Sequence, residues 1–220
     1  GRDDQGADGY QDVDYSITTR ELAKMIKMAG IEFMKLEDEP YDNPLGEYTG
    51  AGVIFGATGG VMEAALRTAV EKLTGEELID LDFVDVRGVK GVKEAEYDLQ
   101  GKKVKVAVAS GLANARIIMD KVKAGEADYT FIEIMGCPGG CVNGGGQPHV
   151  DSQVRNFIDV RAERAKGLYT LDKNAPIRKA HENPVIVKMY DDYLGVPGGE
   201  KAHHLLHTSY VNRGVNKQAD

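Results

Sequence analysis

Two cysteines stand close together in the stretch EIMGCPGGCVNGGGQP, residues 133–148. They are Cys137 and Cys141, the only cysteines of the chain, and the sequence Pro-Gly-Gly separates them. A thiolate is a soft ligand that binds zinc, copper(I) and iron-sulfur clusters. Glycines allow the backbone to approach a bulky inorganic group and to direct N–H groups at it. The stretch therefore predicts a soft-metal site at which both cysteines are ligands.

The residues alone also allow two other interpretations of this cysteine pair. Cysteines four residues apart can be small buried hydrophobes without a ligand role, and a zinc-binding interaction domain is the second possibility. A disulfide framework is excluded, because two cysteines cannot staple a chain of 220 residues. Two thiolates are half of a tetrahedral ligand set, so a metal site here needs further ligands.

Length and composition are those of an ordinary globular chain. With 220 residues, 42% of them hydrophobic and 28% charged, it can bury a substantial core. No apolar run approaches the roughly 20 residues that span a bilayer. The net charge of -8, without a basic block, argues against nucleic acid or an anionic membrane as partner. Cysteine usage favours a reducing cytoplasm. The start at Gly1 and the polar opening through Gln11 indicate a fragment of a longer polypeptide.

The cysteine stretch must be positioned by the elements around it. The run YTFIEIM, residues 129–135, is typical of a buried strand that leads into the cysteine loop. Before it, EAEYDL and KKVKVAVAS alternate in polarity on either side of Gln-Gly and predict a hairpin. LANARIIMDKVK predicts a helix over 112–123. Further strands are predicted at residues 53–55 and 80–88.

Helices are predicted at both ends of the chain. Thr18 and Glu21 have the spacing of a capping box at the start of TTRELAKMIKMAG. A second helix is predicted over 61–73, and further helices over 154–166, 175–194 and 200–210. The predicted fold class is α/β, with a sheet flanked by helices and a mostly helical C-terminal third.

Taken together, these motifs resemble one known family. MGCPGGCVNGGGQP resembles the third signature motif of the FeFe hydrogenases, whose catalytic domain carries the H-cluster. The segments TTRELAKMIKMAGIEF, GEYTGAGVIFGATGGVMEAALR, VRGVKGVKEAE, YTFIEIMGCPGGC, RKAHENP and KMYDDYLGVPGGEKAHHLLH resemble the same family, in the same order. The resemblance covers almost the whole chain.

The resemblance implies a cofactor and an activity. In this family the H-cluster joins a 4Fe-4S cubane, through one cysteine sulfur, to a two-iron subcluster with carbon monoxide, cyanide and dithiolate ligands. By their places in the motif, Cys137 would ligate the cubane and Cys141 would be the bridging thiolate. Met135 and Phe55 match residues of the pocket around the two-iron unit. The implied reaction is reversible oxidation of dihydrogen to protons and electrons, with a ferredoxin-like carrier as electron partner.

Two upstream motifs of the family have no counterpart in the chain. They supply the other two cubane cysteines, a cysteine that transfers protons and a lysine that binds cyanide. The resemblance therefore implies that residues 1–220 are the C-terminal part of one catalytic domain, with 150–220 as its helical extension, and that the chain alone is inactive. The alternative is a hydrogenase-like iron-sulfur assembly or redox-sensing protein without hydrogen turnover.

Four other groups are interpreted as structural. GATGGVMEAALR follows a predicted strand but lacks the lysine and glycine pattern of a nucleotide-binding loop. His203 and His207 have the spacing of zinc ligands on a helix, without the glutamate of a metalloprotease. His149 and His181 are expected to be hydrogen-bonded structural residues. The acidic run EDEPYD is expected to be a solvated loop.

Overall fold

A three-stranded sheet occupies the centre of the part of the chain that the computed structural model describes, residues 13–39, 42 and 46–207. Its order is β1 (Val92–Leu99), β2 (Lys102–Ser110) and β3 (Phe131–Met135). Strands β1 and β2 form an antiparallel hairpin, as predicted. The hairpin turn places Gln100 and Gly101 at φ 53° and 86°, the left-handed pair that two-residue hairpin loops require. Strand β3 is parallel to β2.

Helices cover both faces of this sheet. On one face lie α3 (Gly60–Thr74) and a cluster that includes alternate residues of β2, because successive side chains of a strand point to opposite faces. On the other face lies α4 (Leu112–Lys123), which connects β2 to β3. The α3-side cluster contains Met62, Leu66, Val86, Val104, Val106 and Val108. The α4-side cluster contains Ala107, Ala109, Ala115 and Ile118. The predicted α/β class with a sheet flanked by helices is confirmed.

The remaining helices lie before and after this sheet. Helix α1 begins after a capping box in which Thr18 accepts from the Glu21 N–H and the Glu21 carboxylate accepts from the Thr18 N–H, as predicted. The described part of the last third is mostly helical, also as predicted. The helices outside the sheet layer are α1 (Thr19–Met28), α2 (Gly50–Val53), α3 (Gly60–Thr74), α5 (Ser152–Arg155), α6 (Val160–Asn174), α7 (Pro184–Met189), with a π-helical turn at Tyr190–Leu194, and α8 (Glu200–Leu206).

Two predicted strands and two predicted helix boundaries are wrong. Residues 53–55 end α2 and begin a 3-10 turn, Ile54–Gly56, and residues 80–88 contain the 3-10 turn Val84–Val86. Short apolar runs fit a buried helical turn as well as a strand, which explains both errors. The helix predicted over 154–166 is divided because Asp159 caps α6, and the helix predicted over 175–194 begins only at Pro184. The predicted end of α8 at residue 210 lies outside the described residues.

A buried ion network joins α3 to α6. The guanidinium of Arg67 is fully buried and donates to both carboxylate oxygens of Asp172, at 2.7 and 2.8 Å, and to Glu63 at 2.7 Å. Arg178 and Arg87 extend this network to its exposed edge. Buried charges are tolerated only when they are paired and hydrogen-bonded, and here each carboxylate accepts from at least two donors. Within the described ranges, no helix combines the length and apolar content that crossing a bilayer requires.

Candidate metal-cluster site

Strand β3 delivers the cysteine loop to one edge of the sheet. The strand ends at Met135, whose carbonyl oxygen accepts from the Gly111 N–H at 2.8 Å. The chain then turns tightly, because the Gly140 N–H donates to the Cys137 carbonyl at 3.0 Å. Both cysteines are exposed and unbridged, and Cys141 begins a 3-10 turn that ends at Asn143. The loop therefore presents two thiols at its surface.

Residues 54–59, called the Phe55 turn below, lie directly against this loop. The Thr58 N–H donates to the Gly139 carbonyl at 3.1 Å. Gly139 and Gly140 have φ of 88° and 100°, in the left-handed region that favours glycine. A Cβ at Gly140 would lie 2.7 Å from the Thr58 nitrogen, so the two segments touch through their backbones.

The four predicted site residues are thus gathered by two neighbouring segments. Met135, Cys137 and Cys141 lie on β3 and its loop, and Phe55 lies on the adjoining turn. Phe55 is 46% exposed and Met135 is half-buried, so neither side chain is fully enclosed in the core. Arg161 of α6 supports the loop from outside, since its side chain lies 3.1 Å from where a Gly139 Cβ would stand.

Three residues at this site were missed by the sequence reasoning. Glu133 and Lys93 are both 6% exposed. The Glu133 carboxylate accepts from the N–H groups of Gly59 and Met62 at the start of α3, and the Lys93 ammonium donates to the Thr58 carbonyl. Burial lowers the pKa of Lys93 to about 8, while the charge of Glu133 acts in the opposite direction. Ser110 accepts from the Gly139 N–H at 3.4 Å. The available signal was a single carboxylate in an otherwise apolar strand that leads into the cysteine loop.

The donors present at this site fit a soft inorganic group. The two exposed thiols offer sulfur ligands, and the residue before each cysteine, Gly136 or Gly140, has no side chain. Among the described residues, no hydrogen-bond partner reaches the buried hydroxyl of Thr58. A buried polar atom without a partner is uncommon and is compatible with a group that binds beside it. Two thiolates do not complete a cluster, so the fit is to half of a ligand set.

The histidines have structural contacts, as expected. His149 shares a hydrogen bond of 2.8 Å with Arg20, and His181 bonds to Thr68 and to Glu71. His203 and His207 stack their rings at the exposed end of α8, with centroids 4.4 Å apart.

One further cluster has the spacing of a metal site, formed by Glu71, His181 and Glu182. The ammonium of Lys179 already lies 2.6 Å from Glu71 and 3.0 Å from Glu182. The hydrogen bond from Lys179 lowers the pKa of Glu71 to about 2. The lysine is therefore the cation of this cluster.

Comparison with known proteins identifies the relatives of the chain. Residues 1–145 match the family described as "Iron only hydrogenase large subunit, C-terminal domain", and residues 158–213 match "Iron hydrogenase small subunit". Iron hydrogenase 1 of Clostridium pasteurianum is 52% identical over 203 residues, which are 92% of this chain and 35% of that protein. The chain therefore spans about a third of that relative's length.

A solved structure and a more distant relative extend this comparison. The [FeFe]-hydrogenase HydA1 from Chlamydomonas reinhardtii matches with a TM-score of 0.71 and 43% identity, covering 92% of this chain and 56% of that one. Protein NAR1 of Arabidopsis thaliana is 32% identical, covering 99% of this chain and 47% of that protein.

Proposed function

Because the chain belongs to the iron-only hydrogenase family, we propose that it forms the C-terminal part of a hydrogenase catalytic domain and supplies two ligands of an H-cluster. One observation carries this proposal: two exposed thiols stand on a glycine loop whose backbone touches the turn of Phe55. The reaction is the reversible conversion of dihydrogen into two protons and two electrons. When bound, the H-cluster supplies the metal chemistry of this reaction.

The residues of this chain hold and enclose the cofactor. Cys137 ligates the 4Fe-4S cubane, and Cys141 is the bridging thiolate to the two-iron subcluster. Met135 and Phe55 form apolar pocket walls next to that unit, which limits the access of water. This assignment rests on the family resemblance together with the placement of all four residues on two adjoining segments.

The remaining ligands come from a segment that precedes this chain in longer family members. An apolar surface on α1 and on the turn after it supports the proposal that such a segment packs against this chain. No residue of α1 is buried in the structure. Exposed apolar patches of this kind mark surfaces that another element covers. The exposed side chains are Leu22, Met25, Met28, Ile31, Phe33, Met34 and Leu36. Residues 150–220 are the extension of the same domain, the described part of which is helical, and the small-subunit match over 158–213 lies within this extension. The chain alone is then inactive.

The electron partner is a ferredoxin-like carrier, and the compartment is the cytoplasm. The carrier is proposed from the family resemblance, and the compartment from the two unbridged cysteines, which suit a reducing environment.

A second function has a specific observation in its favour. The likeness to Protein NAR1 covers 99% of this chain, and cytosolic iron-sulfur assembly component 3 of Bos taurus is 31% identical over 91% of it. A hydrogenase-like iron-sulfur assembly or redox-sensing role is therefore the alternative. The higher identity to Iron hydrogenase 1, 52% against 32%, favours the enzyme.

The two functions can be distinguished with a chimera, called the joined protein below, in which this chain replaces the matching part of Iron hydrogenase 1. The joined protein is prepared without oxygen and supplied with iron, sulfide and a synthetic two-iron complex that carries carbon monoxide, cyanide and a dithiolate. Bound iron is counted, and infrared spectra report whether the carbon monoxide and cyanide are held by the protein.

A hydrogenase binds both a four-iron and a two-iron unit, and its infrared spectrum shows sharp carbon monoxide and cyanide bands. An assembly or sensing protein binds the four-iron unit without these bands, and this result would contradict the proposal. One bound zinc and no iron would contradict both functions.

A further inference from the structure

The first turn of α3 cannot be capped by its own residues. Its N-cap is Gly59, which has no side chain to accept a hydrogen bond. Only glycine fits there, since φ is 92° and a Cβ would lie 1.8 Å from the Val86 carbonyl oxygen. Helix N-termini leave backbone N–H groups without partners. A cap for this helix must therefore come from another part of the chain.

Glu133 of β3 provides that cap. One carboxylate oxygen accepts from the Gly59 N–H at 2.7 Å, and the other accepts from the Met62 N–H at 2.7 Å. Both bonds are buried and charge-assisted, which makes them stronger than bonds between neutral groups. A carboxylate at a helix N-terminus is also favoured by the helix dipole.

Lys93 binds the backbone immediately before this helix. Lys93 pairs with Val108 across β1 and β2, and Val108 pairs with Glu133 across β2 and β3, so the three residues form one row of the sheet. The Lys93 ammonium donates to the carbonyl oxygens of Thr58 and Gly88, both at 2.9 Å. The Phe55 turn is thus held at two neighbouring residues: Glu133 accepts from the Gly59 N–H, and Lys93 donates to the Thr58 carbonyl.

These bonds form a closed ring with the cysteine loop. From Glu133 the chain runs through Met135 and Cys137 to Gly139, whose carbonyl accepts from the Thr58 N–H at 3.1 Å. Gly59 then returns to Glu133 through the hydrogen bond described above. A change at Glu133 therefore acts on two segments, the loop that carries the cysteines and the turn that carries Phe55.

We propose that Glu133 is a positioning residue of the cluster site, which fixes the cysteine loop and the Phe55 turn relative to each other. This inference rests on the proposed function for its cofactor, but not for the contact between the two segments. Glu133 acts through the backbone, at Gly59 and Met62, and not on the reacting atoms.

The contact is tested in the cluster-free joined protein by hydrogen exchange of backbone amides. Glu133→Gln keeps the size but places an NH2 group against one of the two N–H donors. We expect exchange to rise by about 10-fold or more at residues 58–62 and at 136–141, as loss of a buried charge-assisted bond implies. Val108→Ala is the matched control, because it disturbs the same row of the sheet and removes no bond to the turn.

Exchange at 136–141 that equals wild type in Glu133→Gln, or that rises equally in Val108→Ala, would overturn the inference. If Glu133→Gln does not fold, Glu133→Asp gives the same test, since its shorter side chain keeps the charge and reaches only one of the two N–H groups. Its exchange must then rise at both segments, and unchanged exchange at 136–141 overturns the inference.

The loaded protein gives a second readout. The carbon monoxide and cyanide bands are expected to shift in Glu133→Gln and to stay in place in Val108→Ala. Faster exchange without a band shift would show that Glu133 holds the turn but not the cofactor, which contradicts its role at the site. If the wild-type joined protein binds no two-iron complex, the proposed function fails. The exchange result still shows whether Glu133 fixes the cysteine loop and the Phe55 turn relative to each other.

Discussion

A Cβ on Gly140 would lie 2.7 Å from the carbonyl oxygen of Gly56. The cysteine loop and the Phe55 turn therefore contact each other through their backbones. Because the approach excludes a methyl group and Gly140 has φ of 100°, any other residue at this position must move one of the segments.

Gly140→Ala is expected to destabilise the protein by at least about 2 kcal/mol, from backbone strain and steric overlap, and to reduce bound iron. Gly136→Ala is the control in the same loop, since no atom lies within 4 Å of its Cβ position, and it should stay within about 1 kcal/mol of wild type. Thermal unfolding and iron content measure both effects. Equal behaviour of the two variants would show that the close approach is not required.

Phe55→Ala separates a pocket role from a core role. Phe55 is 46% exposed, so the loss of stability in the cluster-free joined protein should be below about 2 kcal/mol, less than the 3–5 kcal/mol of a core phenylalanine. If Phe55 lines the two-iron pocket, the carbon monoxide and cyanide bands of the loaded protein shift and hydrogen evolution falls. A large loss of stability with unchanged bands would assign Phe55 to the core instead.

Lys93 predicts a pH dependence of stability. Burial lowers its pKa to about 8 from an ordinary value of 10.5, so between these pH values the unfolded chain binds more protons at Lys93 than the folded chain. The contribution of Lys93 to the free energy of unfolding therefore rises with pH from 8 to 10.5, by on the order of 2 kcal/mol.

Lys93→Met removes this rise. Urea unfolding of the cluster-free joined protein at pH 8 and pH 10 should show wild type gaining stability relative to the variant as pH increases. The control Lys102→Met, at an exposed position of β2, should gain stability with pH as wild type does. Parallel pH profiles for wild type and Lys93→Met would contradict the assignment.

The buried pair of Arg67 and Asp172 predicts a large effect on stability. Asp172→Asn leaves the fully buried Arg67 without one of its two carboxylate partners, and loss of a buried partner costs about 3 kcal/mol or more. Asp120→Asn is the control, because its pair with Arg116 is exposed and contributes about 1 kcal/mol or less. Urea unfolding measures both. A loss as small in Asp172→Asn as in Asp120→Asn would mean that the network is not needed for the fold.

Local chemistry made part of this fold predictable from the sequence. The capping box at Thr18, the Gln-Gly hairpin turn and the helix over 112–123 depend on residues close in sequence, and the structure confirms each of them. The strand predicted at residues 53–55 failed because an apolar run of three residues carries no period. Its helical form depends on contacts with α6 that are distant in the chain.

Of the candidate site, the sequence indicated the two cysteines but not the charged residues behind them. Residue type and spacing were enough to identify Cys137 and Cys141 as candidates. Glu133 and Lys93, in contrast, are brought to the same backbone segment only by the pairing of three strands. Strand register is a long-range property, so the row that contains both charges could not be derived from either segment alone. The ligand roles of Cys137 and Cys141 and the pocket roles of Met135 and Phe55 stay predictions.

The most direct test of the central claim is hydrogen evolution by the loaded joined protein with Cys141→Ser. Wild type and the loop control Gly145→Ala, whose Cβ position lies in open space, are expected to evolve hydrogen from a chemical reductant at similar rates. Cys141→Ser is expected to keep the four-iron unit, lose the two-iron unit and fall to the rate of the cluster-free protein. Hydrogen evolution at the wild-type rate from Cys141→Ser would contradict the assignment of Cys141 as the bridging thiolate.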